Sequence, residues 1–337
     1  MKPSALSAPP APRSSPLHWL LPVCAAVIPF GSVAHANEGE VLPVTFRQGA
    51  AQVVFLAGER EVAAYQTGAG GLPRPDIPAA YHRGGYLHPL RTPSGKVVTD
   101  DYPKDHLHHH GVWMSWSKAR TQDRDLNFWE LGKPGGRVEF LGIEEVKTEG
   151  PATTLRTRHR FVDLSTKPPT TLLEESWTVA VTAFSGPRPR HVIDLTSIQQ
   201  CAGPAPLELP KYHYGGFGIR GLQAWNGAAH CRFLTSSGIT DRLEGNGTRG
   251  KWCWIGGAVE GGTAGITVLG HPDNFRFPQP MRIHPKEPFL SLAPQHLGDM
   301  EIKPGEAYTS RYRLVITDGD VELDQAETWW KAWAAVP

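Results

Sequence analysis

The chain has 337 residues with 34 basic and 33 acidic side chains, so its formal net charge is +1. That balance argues against a general polyanion binder, since duplex binding leaves a basic excess, and no nucleic-acid partner is expected. Charged residues are 20 % and apolar residues 40 % of the chain, alongside 36 Gly, 31 Pro and 11 Trp, which excludes a disordered chain, a helical bundle and a coiled coil.

Residues 1–36 read as a secretory leader. Lys2 and Arg13 supply positive charge, and the first acidic residue is Glu38. An apolar run from Trp19 to Phe30 is too short for the roughly 20 residues of a membrane span. Ala34-His35-Ala36 then places small residues at the two positions a signal peptidase reads. Cleavage after Ala36 is expected. It would leave residues 37–337 as a single periplasmic or extracellular domain with no membrane attachment.

Along the rest of the chain, period two dominates. Ala51 to Leu56 is a short β-like run. The Gly/Pro-rich stretch from Gly68 to Ala80 is long enough to be a lid or rim segment. Arg137 to Glu144 is again β-like. In Thr153 to Asp163, Leu155, Thr157, His159 and Phe161 share one face, and Arg156, Arg158 and Arg160 share the other. In Leu172 to Val181, Leu173, Trp177, Val179 and Val181 share a face. Gly265 to Leu269 follows, and near the end Tyr308, Tyr312, Leu314 and Ile316 align opposite Arg311 and Arg313. One helix reads clearly, with Leu323, Ala326, Trp330 and Trp333 at helical steps behind the acidic start Glu322-Leu323-Asp324. Strands punctuated by Gly and Pro, without alternating helices, predict an all-β fold, a large antiparallel sandwich with a C-terminal helix. Cys201, Cys231 and Cys253 follow the leader, an odd number without a Cys-x-x-Cys pair, so a zinc knuckle is unsupported and any disulfide pairing stays open.

The densest chemical signal is Asp105-His106-Leu107-His108-His109-His110-Gly111-Val112-Trp113. If the segment is extended, His106, His108 and His110 face one way, a usable spacing for one divalent metal ion. Three readings stay open: metal ligation by that trio, proton transfer or sugar binding by His108 and His109 without metal, and a structural loop. Tyr212-His213-Tyr214-Gly215, His271-Pro272-Asp273-Asn274 and Arg282-Ile283-His284-Pro285 are candidates to converge on it. His213 would then be a partner acid or base, and Trp113, His271, Asn274 and Arg282 would bind substrate, since aromatic rings stack on sugar C–H faces and polar groups bond hydroxyls. Carboxylates beside these segments (Asp105, Glu130, Asp273) give no pair with a readable separation. A nucleophile elbow, a Walker loop and a His-Glu-x-x-His motif are all absent from the sequence.

The runs from Tyr86 to Gly95, Val98 to Pro103 and Asp105 to Trp116 carry a family resemblance. So do Asn127-Phe128-Trp129, the segment from Tyr212 and the segment from His271. Together they resemble a family of secreted bacterial proteins commonly labelled methane oxygenase PmoA. Its pattern is Asp-His-Pro-His-His-Arg-Gly; Asp105, His106, His108 and His109 match, and Leu107 and His110 stand where the family has Pro and Arg. The resemblance implies a galactose-mutarotase-like β-supersandwich and an association with sugar catabolism. The expected function is a carbohydrate-active enzyme that hydrolyses, eliminates or epimerises a small-molecule or oligosaccharide substrate. The rivals are a non-catalytic glycan-binding protein and a metal-dependent oxidase.

Overall fold

The computed structural model describes residues 39–133 and 135–337. The leader expected at residues 1–36 lies outside the described residues. Two nine-stranded antiparallel sheets face each other. The first runs in the order Cys231–Thr235, Trp252–Val259, Gly262–Gly270, Tyr308–Asp318, Arg190–Cys201, Thr170–Phe184, Ala152–Asp163 and Gly136–Glu149, with Val41–Leu42 paired to Thr170–Phe184. The second runs Arg249–Gly250, Gln279–Ile283, Phe289–Leu292, Gly216–Arg220, Val112–Ser115, Tyr86–Leu90, Arg60–Gln66, Gln52–Ala57 and Val44–Gln48. A further sheet has four strands in the order Met300–Ile302, Leu207–Leu209, Ala119–Thr121 and Arg124–Leu126.

Period two explains the core. Leu155, Thr157, His159 and Phe161 are all buried, as are Leu173, Trp177, Val179 and Val181. The inner faces of both sheets merge in one cluster, where Phe55, Tyr65, Leu87, Met114 and Ile219 of the second sheet meet Leu155, Trp177, Ile193, Val268 and Leu314 of the first. The antiparallel sandwich with its C-terminal helix, Leu323–Ala334, is the observed fold. The helix stripe is rotated from its expected position. Ala326, Trp329 and Trp333 are buried against Trp252, Trp254, Leu269 and Val315, while Leu323 is exposed. Cys201, Cys231 and Cys253 are free thiols. Among the described residues, no helix is long and apolar enough to cross a membrane.

A buried polar network crosses the sandwich. The Tyr65 hydroxyl of the second sheet lies 2.6 Å from His159 Nε2 of the first. His159 Nδ1 donates to Glu175 at 3.0 Å, and Ser197 Oγ and Gln199 Nε2 donate to the same carboxylate at 2.6 and 2.8 Å. Burial pushes the Glu175 pKa up, but these donors outweigh it and hold the carboxyl below its usual range. Glu175→Leu would leave three buried polar partners unpaired, and is expected to cost about 3–5 kcal/mol in urea unfolding. A loss under about 1 kcal/mol would show the network to be dispensable.

Candidate functional site

The outer face of the second sheet carries the site. On its central strands, Leu87, Val112, Met114, Phe217, Ile219, Leu290 and Ile283 point into the core. The alternate positions therefore point out, among them Tyr86, His88, Trp113, Gly218, Arg220, Arg282 and Phe289. Tyr86, Trp113 and Phe289 join Ile77, Tyr102 and Trp129 in a second apolar cluster. Trp113 and Trp129 pack at 4.9 Å over Gly218. A Cβ at Gly218 would stand 2.7 Å from the Trp129 ring and 3.1 Å from Trp113, so only glycine lets both indoles lie on the strand. Ile77 brings the Gly68–Ala80 segment onto this cluster as a rim, and Arg74 Nη2 donates to the Tyr102 carbonyl at 2.8 Å.

The histidine run is a chain of turns and not an extended strand. His106 N donates to the Pro103 carbonyl at 3.0 Å, and His109 N to the His106 carbonyl at 2.8 Å. The alternation expected of an extended segment therefore does not apply, and His106, His108 and His110 do not share a face. Instead His106 stacks on His109 (4.6 Å, 12°), and His109 stacks on Phe289 (4.8 Å, 13°). His108 meets His109 edge-on at 4.7 Å. His110 leaves this column. It is buried against Tyr86 at 4.3 Å, with Nδ1 2.7 Å from Asp101 Oδ1.

Arg220 anchors the column. Its guanidinium is fully buried. Nη2 donates to Asp105 at 2.8 and 3.1 Å and to Asn226 Oδ1 at 2.8 Å. Nη1 lies 3.5 Å from Glu287 and 3.3 Å from His109 Nδ1. A guanidinium can only donate, so His109 Nδ1 carries a lone pair.

Burial keeps His108, His109 and His284 neutral at neutral pH. It pulls the His108 pKa down to about 4, with His106 adding to the effect and Glu130 opposing it. His284 is likewise pulled to about 4 by burial and by the charge of Arg282. His109, fully buried, is pushed well below its usual value by burial, His108 and Arg220. Within electrostatic reach of His108, the Tyr214 hydroxyl donates to Glu130 at 2.9 Å, and Lys133 pairs with the same carboxylate. Burial lifts Glu130, but Lys133 and Tyr214 outweigh it and hold the carboxyl below its usual range.

The sequence candidates divide. His108, His109 and Trp113 sit in this constellation, although Trp113 is fully buried and forms its floor instead of a stacking platform. Arg282 joins through His284, whose ring lies 6.1 Å from His106. His213 is exposed between Tyr212 and Tyr214, and Arg282 and His296 depress its pKa after burial does. His271 and Asn274 are elsewhere. They follow a strand of the first sheet: His271 lies 2.8 Å from the Val336 carbonyl and meets Trp333 edge-on, while Asn274 brackets the Arg311 backbone at 2.7 and 2.8 Å. His271 ties down the C-terminus and Asn274 the strand Tyr308–Asp318, both away from the histidine column.

Arg220 and Glu287 were not anticipated. The signal for Arg220 was present, since period two in Gly216–Arg220 sets it opposite Phe217 and Ile219. Glu287 lies in a turn, which carries no such period.

No sequence among curated proteins matches the chain. Among solved structures, it is similar to heparan sulfate lyase HepC from Pedobacter heparinus (TM-score 0.41, 8 % identity), covering 83 % of this chain and 37 % of that one. A GalM/aldose epimerase homologue from C. elegans gives a TM-score of 0.34 at 10 % identity, over 84 % of this chain and 100 % of that one. A galactose mutarotase-like protein from Clostridium acetobutylicum gives 0.33 at 9 %, over 82 % and 99 %. The family whose model matches residues 52–331 is described without an oxygenase or any other activity. The chain belongs to that family, DUF6807, a family of unknown function.

Proposed function

We propose that this protein is exported, binds a sugar or glycoside over the histidine column and moves a proton on it, with His108 as the base. The observation that carries the reading is a half-buried imidazole set edge-on to a fixed histidine stack, near a tyrosine–carboxylate pair, and kept neutral at neutral pH by its burial. At neutral pH such a ring is unprotonated and free to accept. A base this weak abstracts a proton only from an acidified carbon, such as one beside a carbonyl or carboxylate, and once protonated it returns the proton readily. That behaviour suits elimination or epimerisation, where a proton leaves one atom and is delivered to another. Tyr214 and His213 are the candidate partners on the opposite side, and Tyr212 and Arg282 would bond hydroxyl or carbonyl oxygens. Groups that both donate and accept, spread over one face, fit a polyhydroxylated ligand.

The test is a panel of sugars and glycosides incubated with the protein in D2O. Deuterium gained at carbon, or a new double bond, is expected with some member. His108→Gln should lower that rate by about 10²-fold or more while the melting temperature stays close to the parent's. Binding without exchange or turnover would make the protein a glycan-binding module. Full activity in His108→Gln would remove His108 from the chemistry.

A further inference from the structure

We propose that Asp105, His106 and Glu287 form a site for one divalent metal ion of the zinc or manganese class. Their donor atoms lie within 4.8 Å of one another. His106 Nδ1 is 3.5 Å from Asp105 Oδ2 and 3.3 Å from Glu287 Oε2. Around an ion with bonds of about 2.0–2.2 Å, neighbouring ligand atoms stand roughly 3.0–3.6 Å apart, between the octahedral and tetrahedral edges. The two observed separations fall in that range. They are long for a charge-assisted N–H···O bond, which runs to about 2.7–2.9 Å. Consistent with this, His106 Nδ1 is shielded from solvent and makes no hydrogen bond among the described residues.

The three ligands come from two segments that the fold fixes independently. Asp105 and His106 sit on the turns between the strands Tyr86–Leu90 and Val112–Ser115. Glu287 sits in the turn between Gln279–Ile283 and Phe289–Leu292, where His284 Nδ1 accepts from the Lys286 and Glu287 amides at 3.3 and 3.1 Å. Behind them Arg220 grips Asp105 and reaches Glu287, orienting both carboxylates as groups behind metal ligands do. Its charge offsets one carboxylate, so the pocket is left with one negative charge for a dication. The side chains are 33, 30 and 17 % exposed for Asp105, His106 and Glu287, so the site lies near the surface. One imidazole and two carboxylates suit zinc or manganese, and three protein ligands leave coordination positions open to water or substrate oxygen.

This inference stands apart from the acid–base reading, because binding is measured with no sugar present. The mature protein is stripped with chelator and titrated by calorimetry with Mn2+ and, separately, Zn2+. One ion per chain is expected. Glu287→Gln and His106→Asn should each weaken binding at least tenfold, while His230→Ala, an exposed histidine outside the site, should leave it unchanged. In the unmutated chain, spin-echo modulation from bound Mn2+ should show one directly coordinated imidazole nitrogen, a readout that holds even if a variant fails to fold. The proposal is overturned if no stoichiometric binding occurs, if both variants bind like the parent, or if the modulation shows no imidazole or more than one.

Discussion

Arg220→Met should cost about 3 kcal/mol of folding stability and abolish the function of the cleft. The guanidinium is fully buried and serves Asp105, Asn226, Glu287 and His109 together. Methionine fills most of the volume but supplies no donor. Asp105 and Glu287 then face each other across the lost cation, and Asn226 Oδ1 loses a partner. Breaking one side of a buried ion pair costs about 3–5 kcal/mol, and the one-third exposure of Asp105 places this case at the low end. Arg220→Lys should recover only part of the loss, because a single ammonium cannot reproduce the fork that reaches four partners. Urea unfolding of the three proteins decides the matter. A Met variant within about 1 kcal/mol of the parent would mean that the carboxylates are held by something else. The same variant should also free the His106–His109 stack to move, and with it His108, which packs edge-on against His109.

Arg220 also shows where sequence reasoning reached and where it stopped. The strands were legible because a half-buried strand must alternate, and Leu155 to Phe161 and Leu173 to Val181 alternate without interruption. The C-terminal helix was legible from its tryptophan spacing, although the buried stripe falls on Trp329 and Trp333. What alternation cannot give is which sheet a strand joins. His271 and Arg282 both lie at strand ends only eleven positions apart, yet one strand belongs to the first sheet and the other to the second. Pairing decides their fates, and pairing is a long-range property. The histidine run failed for a local reason. A shared face for His106, His108 and His110 required an extended backbone, but Tyr102, at φ 49°, and Pro103 break it and two turns follow. The residue types still marked the site, because neighbouring imidazoles are unprofitable in a core unless each nitrogen finds a partner. Their geometry came from the turns, and with it the separation of His110 from the column.

Those neutral imidazoles should make the protein lose stability on mild acidification, well before the carboxylates titrate. In the unfolded chain each histidine takes up a proton near pH 6.5. In the folded protein His108 and His284 do so only near pH 4, because burial and neighbouring positive charge oppose it. Between those limits the unfolded state holds more protons, so stability rises with pH. The contribution is complete above about pH 6.5, falls away below it, and is gone below about pH 4. Each such proton is worth about 1.4 kcal/mol per pH unit. Both rings are half-buried, and solvent screening trims the effect, so the pair should give about 2 kcal/mol per pH unit. His109 and His110 are fully buried and shifted the same way, which steepens the fall. Glu175, held below its usual range, adds a loss only at lower pH, as protons reach its carboxylate. Melting temperatures measured from pH 7.5 to 4.5 should therefore drop by about 6 °C or more, starting near pH 6.5. His108→Gln and His284→Gln should each flatten that drop, since glutamine removes the titration and keeps a polar side chain. A melting temperature constant from pH 7 to 5 would mean that these rings take up protons in the folded state as easily as in the unfolded one. His108 would then be substantially protonated near pH 6.5, and the cleft would need another base.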